Sequence, residues 1–170
     1  LHFFLNIFSK NEVGYKNLLN IISSAYMNHK ENAYVDIEQL YKNKEGLLVL
    51  SGGNNSILKY SNGNSITSQS ASFVADFKKE FIDNFYIEIQ RIEGNDYRID
   101  EEVILNLAYD NNIPVVATND VYFEGPDHFE AHDALMCIEK KLFVSQKDRK
   151  RLSKNHYFKS QNEMQELFSD

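Results

Sequence analysis

Residues 46–53 read Gly-Leu-Leu-Val-Leu-Ser-Gly-Gly, and this stretch decides the fold class of the 170-residue chain. Its four consecutive apolar residues, 47–50, stand between glycines, which is typical of a short strand buried on both faces of a sheet. Working outward, the apolar run 1–8, the alternating segment 85–90 and the short run 114–118 also predict strands. The chain therefore has four predicted strands, and we expect those at 1–8 and 114–118 to be buried as well.

Helical patterns lie between these strands. Apolar residues recur at helical spacing in 11–28, and Phe73, Phe77 and Phe81 form a further stripe. A helix is also predicted at 126–140, with Pro126 at its first position. Asp100 is a good N-cap for the helix at 101–111, and Ser160 with Glu163 forms a capping box that starts a last helix. The apolar face of the helix at 11–28 consists of Tyr15, Leu18, Leu19, Ile22 and Tyr26.

The alternation of strands and helices predicts an α/β fold with mostly parallel strands. A closed eight-unit barrel usually needs about 250 residues, so four units predict an open sheet or an incomplete βα barrel. The Ser-, Asn- and Gly-rich segment 60–65 predicts a flexible loop within one domain. An unclosed barrel leaves strand groups unpaired, so we expect the chain to associate or exchange strands.

The composition excludes several classes of function. With 25 acidic and 18 basic residues the net charge is -7, which argues against direct binding of nucleic acid by this chain alone. The single cysteine, Cys137, excludes an internal disulfide, fits the cytoplasm and is expected to be buried and unreactive. The apolar run 1–8 is too short to cross a membrane. Because it starts without Met inside an apolar run, we expect the chain to be a piece of a larger product.

Ligands of parallel α/β folds bind beyond the carboxyl ends of the strands. There the chain places Ser51-Gly52-Gly53, Glu88 to Gln90 and Asn119-Asp120, in which only Glu88 and Asp120 are of metal-ligating types. Glu88 is either a former site carboxylate or a strand residue paired with Arg or Lys. For Asp120 a capping role is favoured over a residual ligand role, because a lone carboxylate rarely holds a metal.

Other chemically interesting residues have plainer readings. His128 and His132 have the spacing of a zinc pair on one helical face, yet His132 lies on an apolar stripe and is better explained by packing. The basic run 147–151 could contact DNA or a neighbouring domain, although a solvated helix end is the commoner meaning. No nucleophile–base pair emerges, so we expect no catalytic residue.

Six segments carry a family resemblance in their order and spacing. They are Glu12-Val-Gly-Tyr-Lys-Asn-Leu-Leu19, Leu50-Ser-Gly-Gly53, Phe85-Tyr-Ile-Glu-Ile-Gln90, Ile113-Pro-Val-Val-Ala-Thr-Asn-Asp120, Ala131-His-Asp-Ala-Leu-Met-Cys137 and Tyr157-Phe-Lys-Ser160. Along 1–170 the chain resembles the C-terminal two-thirds of the PHP (polymerase and histidinol phosphatase) domain of bacterial DNA polymerase III alpha subunits. The resemblance implies a partial PHP domain, with the palm and other polymerase domains absent.

The same resemblance implies a function for the segment. The parent protein would catalyse template-directed DNA synthesis, with magnesium held in its palm domain. The segment itself would support the polymerase body, offer a docking surface to the proofreading exonuclease subunit, and meet DNA only through the parent. We expect no catalytic activity from the segment alone.

The metal-binding pattern of the family is largely absent. It would place Cys or His at Gly53, Asp at Asp120 and His at Tyr122, and only Asp120 matches. The His-x-His pair of intact PHP domains also has no counterpart in the sequence. The resemblance therefore implies a degenerate site that binds no metal and no cofactor. The alternative is a metal-dependent PHP phosphoesterase.

Overall fold

The computed structural model describes residues 3–28, 33–53, 56, 58, 67–92 and 101–169. Its helices and strands are β1 (Asn6–Ser9), α1 (Glu12–Asn28), α2 (Ile37–Lys42), β2 (Leu47–Leu50), α3 (Ser68–Phe81), β3 (Phe85–Gln90), α4 (Glu101–Asp110), β4 (Val115–Thr118), α5 (Phe129–Lys140) and α6 (Gln161–Leu167). The predicted α/β class is confirmed. The predicted loop 60–65 and the predicted cap Asp100 lie outside the described residues.

The four strands form one sheet in the order β1-β2-β3-β4. Strands β2 and β3 run parallel, with Val49 opposite Phe85, and their bounds agree with those predicted. Leu47, Val49 and Ile87 are fully buried, as expected of apolar residues in the middle of a covered sheet. The backbone N–H of Ile87 donates to the carbonyl of Pro114 at 3.0 Å and so continues the ladder towards β4. The prediction that the strand at 114–118 is buried was wrong, because the residues of β4 alternate between exposed and partly exposed.

Strand β1 differs from the prediction. It covers only residues 6–9, pairs antiparallel with β2, and leaves Phe8 53% exposed. The prediction of a buried strand at 1–8 was therefore wrong. An apolar run indicates burial only where both faces of the strand are covered, whereas β1 borders the sheet and only its Ile7 is partly covered.

The chain divides into two compact units. The first comprises Leu1–Glu88 with Ile99–Val116, and the second comprises Ile89–Arg98 with Ala117–Asp170. In the first unit the predicted aromatic stripe lies on α3, where Phe77 stacks on Phe81 with centroids 5.6 Å apart and also meets Phe85 at 5.4 Å. Helix α2, which the sequence analysis missed in a polar stretch, adds the buried Leu40 to this unit.

Helix α1 meets the turn before β2 through bare backbone. A Cβ atom on Gly14 would lie 1.9 Å from the carbonyl oxygen of Gly46, and Gly46 itself has a left-handed φ of 72°. The same carbonyl accepts a 2.8 Å hydrogen bond from the backbone of Lys10. Only glycine fits this approach, which gives a physical reason for Gly14 within the first quoted motif.

The bounds predicted for α1 are close to those observed, but its predicted apolar face is turned away from the core. The buried residues of α1 are Gly14, Ile21 and Ala25. The large apolar residues of the predicted face that remain exposed are Tyr15, Leu19, Ile22 and Tyr26, which we call the outer α1 stripe. Residues 17–28 contain no charged side chain. Gly14 faces inward because the helix backbone lies so close to Gly46 at this position.

In the second unit, the predicted helix 126–140 divides into a 3-10 turn, Pro126–His128, and α5. Helix α6 has the predicted capping box, because Ser160 accepts from the backbone of Glu163 and the Glu163 carboxylate accepts from the backbone of Ser160. Hydrogen bonds from Tyr157 and Ser160 lower the pKa of Glu163 to about 2. No described helix has both the length and the apolar character needed to cross a membrane.

Candidate functional site

The first strand-end position is Glu88, a residue near the end of β3 that is 4% exposed. The side-chain amide of Asn6 donates to both carboxylate oxygens, at 3.0 and 3.3 Å, and the backbone N–H of Gly52 donates at 3.2 Å. The Ser51 hydroxyl accepts from the backbone of Glu88 at 2.9 Å. These donors hold the carboxylate between β1, β3 and the loop after β2.

The loop after β2 is shaped by two glycines. Gly52 and Gly53 have left-handed φ values of 95° and 51°, and a Cβ atom on Gly52 would lie 2.0 Å from the carbonyl oxygen of Phe4. The N–H of Gly52 points at Glu88, so it is already engaged. A backbone cradle for phosphate at Gly52-Gly53 is therefore disfavoured, because the first of its amides is in use.

The second position lies in the other unit, after β4. Asp120 is partly exposed, and its carboxylate lies 4.0 Å from Nε2 of His156, a residue that is almost fully buried. The ring of Tyr122 meets the ring of His156 at 5.7 Å and that of His132 at the same distance. Burial, and then the negative charge of Asp120, raise the pKa of Tyr122.

This loop is tied to the segment that precedes α6. The amide nitrogen of Asn119 donates to the carbonyls of Asn155, at 3.2 Å, and Tyr157, at 2.7 Å. Phe123 forms a parallel bridge with Tyr157, and the backbone of Tyr122 donates to the carbonyl of His156 at 2.9 Å. Two motifs quoted separately from the sequence, 113–120 and 157–160, are thus neighbours in space.

The two histidines with zinc-like spacing have different environments. His128 is exposed in the turn before α5, 3.9 Å from Asp127, whereas His132 is half-buried against Tyr122 and Phe123. Packing therefore accounts for His132, as the sequence analysis favoured. Cys137 is buried on the inner face of α5, and the prediction that its thiol is buried is confirmed.

The basic run 147–151 is not simply a solvated helix end. Arg149 makes a bidentate ion pair with Asp133 of α5, in which both side chains are nearly fully buried, and Arg151 lies 3.1 Å from the same carboxylate. Hydrogen bonds from Arg149 are the largest cause that holds the pKa of Asp133 below its ordinary value, against the opposing effect of burial. Arg149 and Arg151 of this run therefore contact α5 through Asp133 and have a structural role.

The side chains available as metal ligands limit the chemistry that these two strand-end positions can perform. Among the described residues, no group of three or more His, Cys, Asp and Glu side chains is arranged to hold a metal ion. Asp120 and His156 offer one oxygen and one nitrogen, whereas a catalytic zinc site usually has three protein ligands. Gly53 has no donor atom, and Tyr122 presents a phenol where imidazole would be needed. The described residues do not fit the full metal site of an intact PHP domain.

Sequence reasoning missed two residues of these sites. The first is His156, which was not among the candidate site residues and which lies against Asp120 and Tyr122. Its position directly before the motif 157–160 was the one available signal. Asn6 was also missed, because a partner 82 residues away from Glu88 leaves no trace in local spacing.

Comparisons with known proteins agree with the motifs. The family model described as the PHP domain matches residues 2–92. DNA polymerase III subunit alpha of Caulobacter vibrioides is 38% identical over 168 residues, which is 98% of this chain and 15% of that protein. The corresponding proteins of Pasteurella multocida and Rickettsia bellii are 36% and 34% identical over 99% and 96% of this chain. The chain spans about 15% of the length of these curated relatives.

Proposed function

Because this chain belongs to the PHP domain family, we propose that it is a degenerate PHP segment that supports a bacterial replicative DNA polymerase and docks its proofreading exonuclease subunit. The observation that carries the proposal is the match to DNA polymerase III alpha subunits along 98% of the chain. The parent protein would perform template-directed DNA synthesis with magnesium in its palm domain. This segment would meet DNA only through the parent, in the cytoplasm.

The chemistry of the strand ends supports a structural role. The Glu88 carboxylate is occupied by Asn6 and Gly52, and the family's ligand positions at Gly53 and Tyr122 hold glycine and tyrosine. Asp120 is the remaining vestigial position. A scaffold with these substitutions can keep its loops in place without binding an ion, so the retained function would be recognition by other proteins.

The docking role is tested by isothermal titration of the chain with the exonuclease subunit encoded in the same genome. We expect saturable binding with one exonuclease per chain. Under the same conditions duplex DNA should give no saturable binding, because the net charge of -7 opposes contact with phosphates. Absence of exonuclease binding, or binding of DNA alone, would refute the docking role.

A metal-dependent PHP phosphoesterase is the second candidate. It is favoured by one observation, that Asp120 occupies its family position with His156 close by. The test is hydrolysis of bis(p-nitrophenyl) phosphate with added zinc or manganese, together with anomalous scattering from soaked crystals. We expect no turnover and no ion at Asp120. Turnover that a chelator removes and that Asp120→Asn abolishes would establish the enzyme instead.

A further inference from the structure

The end of α5 and the segment after it carry a strong excess of positive charge. Residues 140–154 contain seven basic side chains and one acidic one, whereas the rest of the chain contains 11 basic and 24 acidic ones. Five of the seven are exposed lysines, which we call the lysine strip: Lys140, Lys141, Lys147, Lys150 and Lys154. Positive charge concentrated on one part of an acidic chain indicates a surface that meets a polyanion.

The segment 142–154, which we call the return segment, runs back along α5 from its last turn to its first. Near the end of the helix, the backbone N–H of Leu142 donates to the carbonyl of Cys137 at 2.9 Å. At the start of the helix, the ammonium of Lys154 lies 6.0 Å from the ring centroid of Phe129. The two ends of the lysine strip are therefore separated by about 16 Å, the length of the helix.

The two arginines of the return segment are used within the fold. Arg149 forms its buried bidentate pair with Asp133 and also donates to the carbonyl oxygen of Val144 at 3.1 Å. Arg151 lies 3.1 Å from the Asp133 carboxylate, and its guanidinium is 5.0 Å from the ring centroid of Phe129. These contacts hold the return segment against α5. The lysines thus stand on an ordered backbone, so little conformational entropy is left to lose when an anion binds.

The type of basic residue indicates the kind of partner. Interfaces between proteins are enriched in arginine and depleted in lysine, whereas both residues commonly contact the phosphates of nucleic acids. Here the arginines pair with carboxylates of α5, and the lysines form the exposed strip. Over a length of about 16 Å, duplex DNA presents roughly nine phosphate charges. A row of lysines of this length fits a phosphate backbone better than an acidic protein.

A solvated helix end explains only part of the strip. Lys140 and Lys141 lie at the carboxyl end of α5, where positive charge is favoured by the helix dipole. Lys147, Lys150 and Lys154 lie outside the helix, so the dipole does not account for them. They are the members that distinguish a binding surface from an ordinary helix end.

We propose that the lysine strip contacts the phosphate backbone of duplex DNA while the parent polymerase holds that duplex. The inference rests on the proposed function, which places this chain within a DNA polymerase. The contact is independent of base sequence, because lysines that meet phosphates read no base edges. The acidic remainder of the chain opposes binding by the isolated segment, so the parent must supply the high local concentration of DNA.

The test measures binding of a primed DNA duplex to the parent polymerase by fluorescence anisotropy over a series of salt concentrations. Lys147→Ala with Lys154→Ala should reduce the slope of log affinity against log salt by about 2, since each lost phosphate contact removes about 0.9. The affinity itself should fall about tenfold. Lys42→Ala with Lys79→Ala removes the same charge from exposed positions of α2 and α3 and should keep the wild-type slope.

The possible outcomes separate this inference from the proposed function. If the wild-type parent neither binds nor extends the primed duplex, the proposed function fails and the lysine strip fails with it. If the parent extends the primer and the Lys147–Lys154 variant keeps the wild-type slope, the proposed function stands and only the strip is overturned. Circular dichroism shows whether both variants keep their helices.

Two further titrations identify a different occupant of the strip. A loss of affinity for unpaired single-stranded DNA, with the duplex bound as by the wild type, would overturn the assignment to duplex DNA. Weaker binding of the exonuclease subunit by the Lys147–Lys154 variant, with an unchanged slope for DNA, would assign the strip to an acidic protein instead. An equal change of slope in the Lys42–Lys79 control would show that only total charge matters and would also overturn the proposal.

Discussion

Glu88 keeps a buried carboxylate that accepts hydrogen bonds from Asn6 and Gly52. Removing a carboxylate from water is costly, and the two hydrogen bonds from Asn6 and the one from Gly52 offset that cost. In return, Glu88 connects β1, β3 and the loop after β2 at one point. The residue is therefore better explained as an internal tie of the first unit than as a solvated remnant of a metal site.

Replacing Glu88 by leucine should lower the free energy of unfolding by about 2 kcal/mol, since it leaves the donors of Asn6 and Gly52 without their acceptor. Urea unfolding followed by circular dichroism measures this change. Glu38→Gln, at an exposed position of α2, is the control and should have an effect within about 0.5 kcal/mol. Equal stability of Glu88→Leu and the wild type would contradict the assigned role.

Asp133 predicts a dependence of stability on pH. Its pKa is lower in the folded chain than in the unfolded one, so its contribution is fully present above the unfolded pKa, near pH 4. That contribution is lost as the pH falls through the folded value. Asp133→Asn should cost about 3 kcal/mol at pH 7, because it leaves a buried arginine without its counter-charge.

Thermal unfolding of Asp133→Asn and the wild type between pH 2 and pH 7 measures this effect. The gap between their melting temperatures should be widest at pH 7 and shrink below about pH 4. Asp148→Asn changes an exposed acid of the same loop and serves as the control. A gap that stays constant down to pH 2 would show that the Asp133 charge does not matter.

For single helices and strands, the local sequence pattern predicts the bounds of an element well but its orientation poorly. The bounds of β2 and β3 were predicted to the residue, because Leu47–Leu50 and Phe85–Gln90 carry their pattern within the element. The inward face of α1 was not predicted correctly. The contact of Gly14 with Gly46, which lies 32 positions away, determines that Ile21 and not Ile22 is buried. Helix α2 was missed since only Leu40 of its six residues is buried.

The glycine contact predicts that a better helix former will be worse at position 14. Alanine normally stabilises a helix relative to glycine, yet Gly14→Ala should lower the free energy of unfolding by about 3 kcal/mol, because its methyl group overlaps the carbonyl of Gly46. Asn20→Ala, at an exposed position of the same helix, should be neutral or slightly stabilising. Denaturant unfolding of both variants checks the pair, and a stable Gly14→Ala would rule out the close approach.

At the scale of the whole molecule, only those parts of the candidate site that lie within a single sequence motif could be predicted. Gly53, Asp120 and Tyr122 were located by motif, and the resemblance said which ligands they had replaced. The neighbours of Glu88 and Asp120 could not be located in this way. Asn6 and His156 lie 82 and 36 positions from these carboxylates in the sequence, and only the fold brings them close. Contacts over such distances leave no periodic pattern in the sequence.

The chain is also predicted to associate. The outer α1 stripe exposes apolar side chains on the first unit, and the border strand β1 has no second partner strand among the described residues. Light scattering at rising concentration should report a mass above that of the single chain. Leu19→Lys with Ile22→Lys should reduce it, whereas Asn20→Lys with Ser23→Lys should not. A single-chain mass at every concentration would count against both surfaces.

The bare backbone contact between Gly14 and Gly46 also has a practical consequence for protein engineering. Thermostabilisation often begins by replacing glycines with residues that restrict the unfolded chain. At the contact between α1 and the turn before β2, which we call the glycine seam, such a replacement would destabilise the fold. Substitutions on the outward arc of α1, at Asn20 and Ser23, are the safer place to raise tolerance to heat. A library built on that rule would keep the seam as glycine and vary only what faces the solvent.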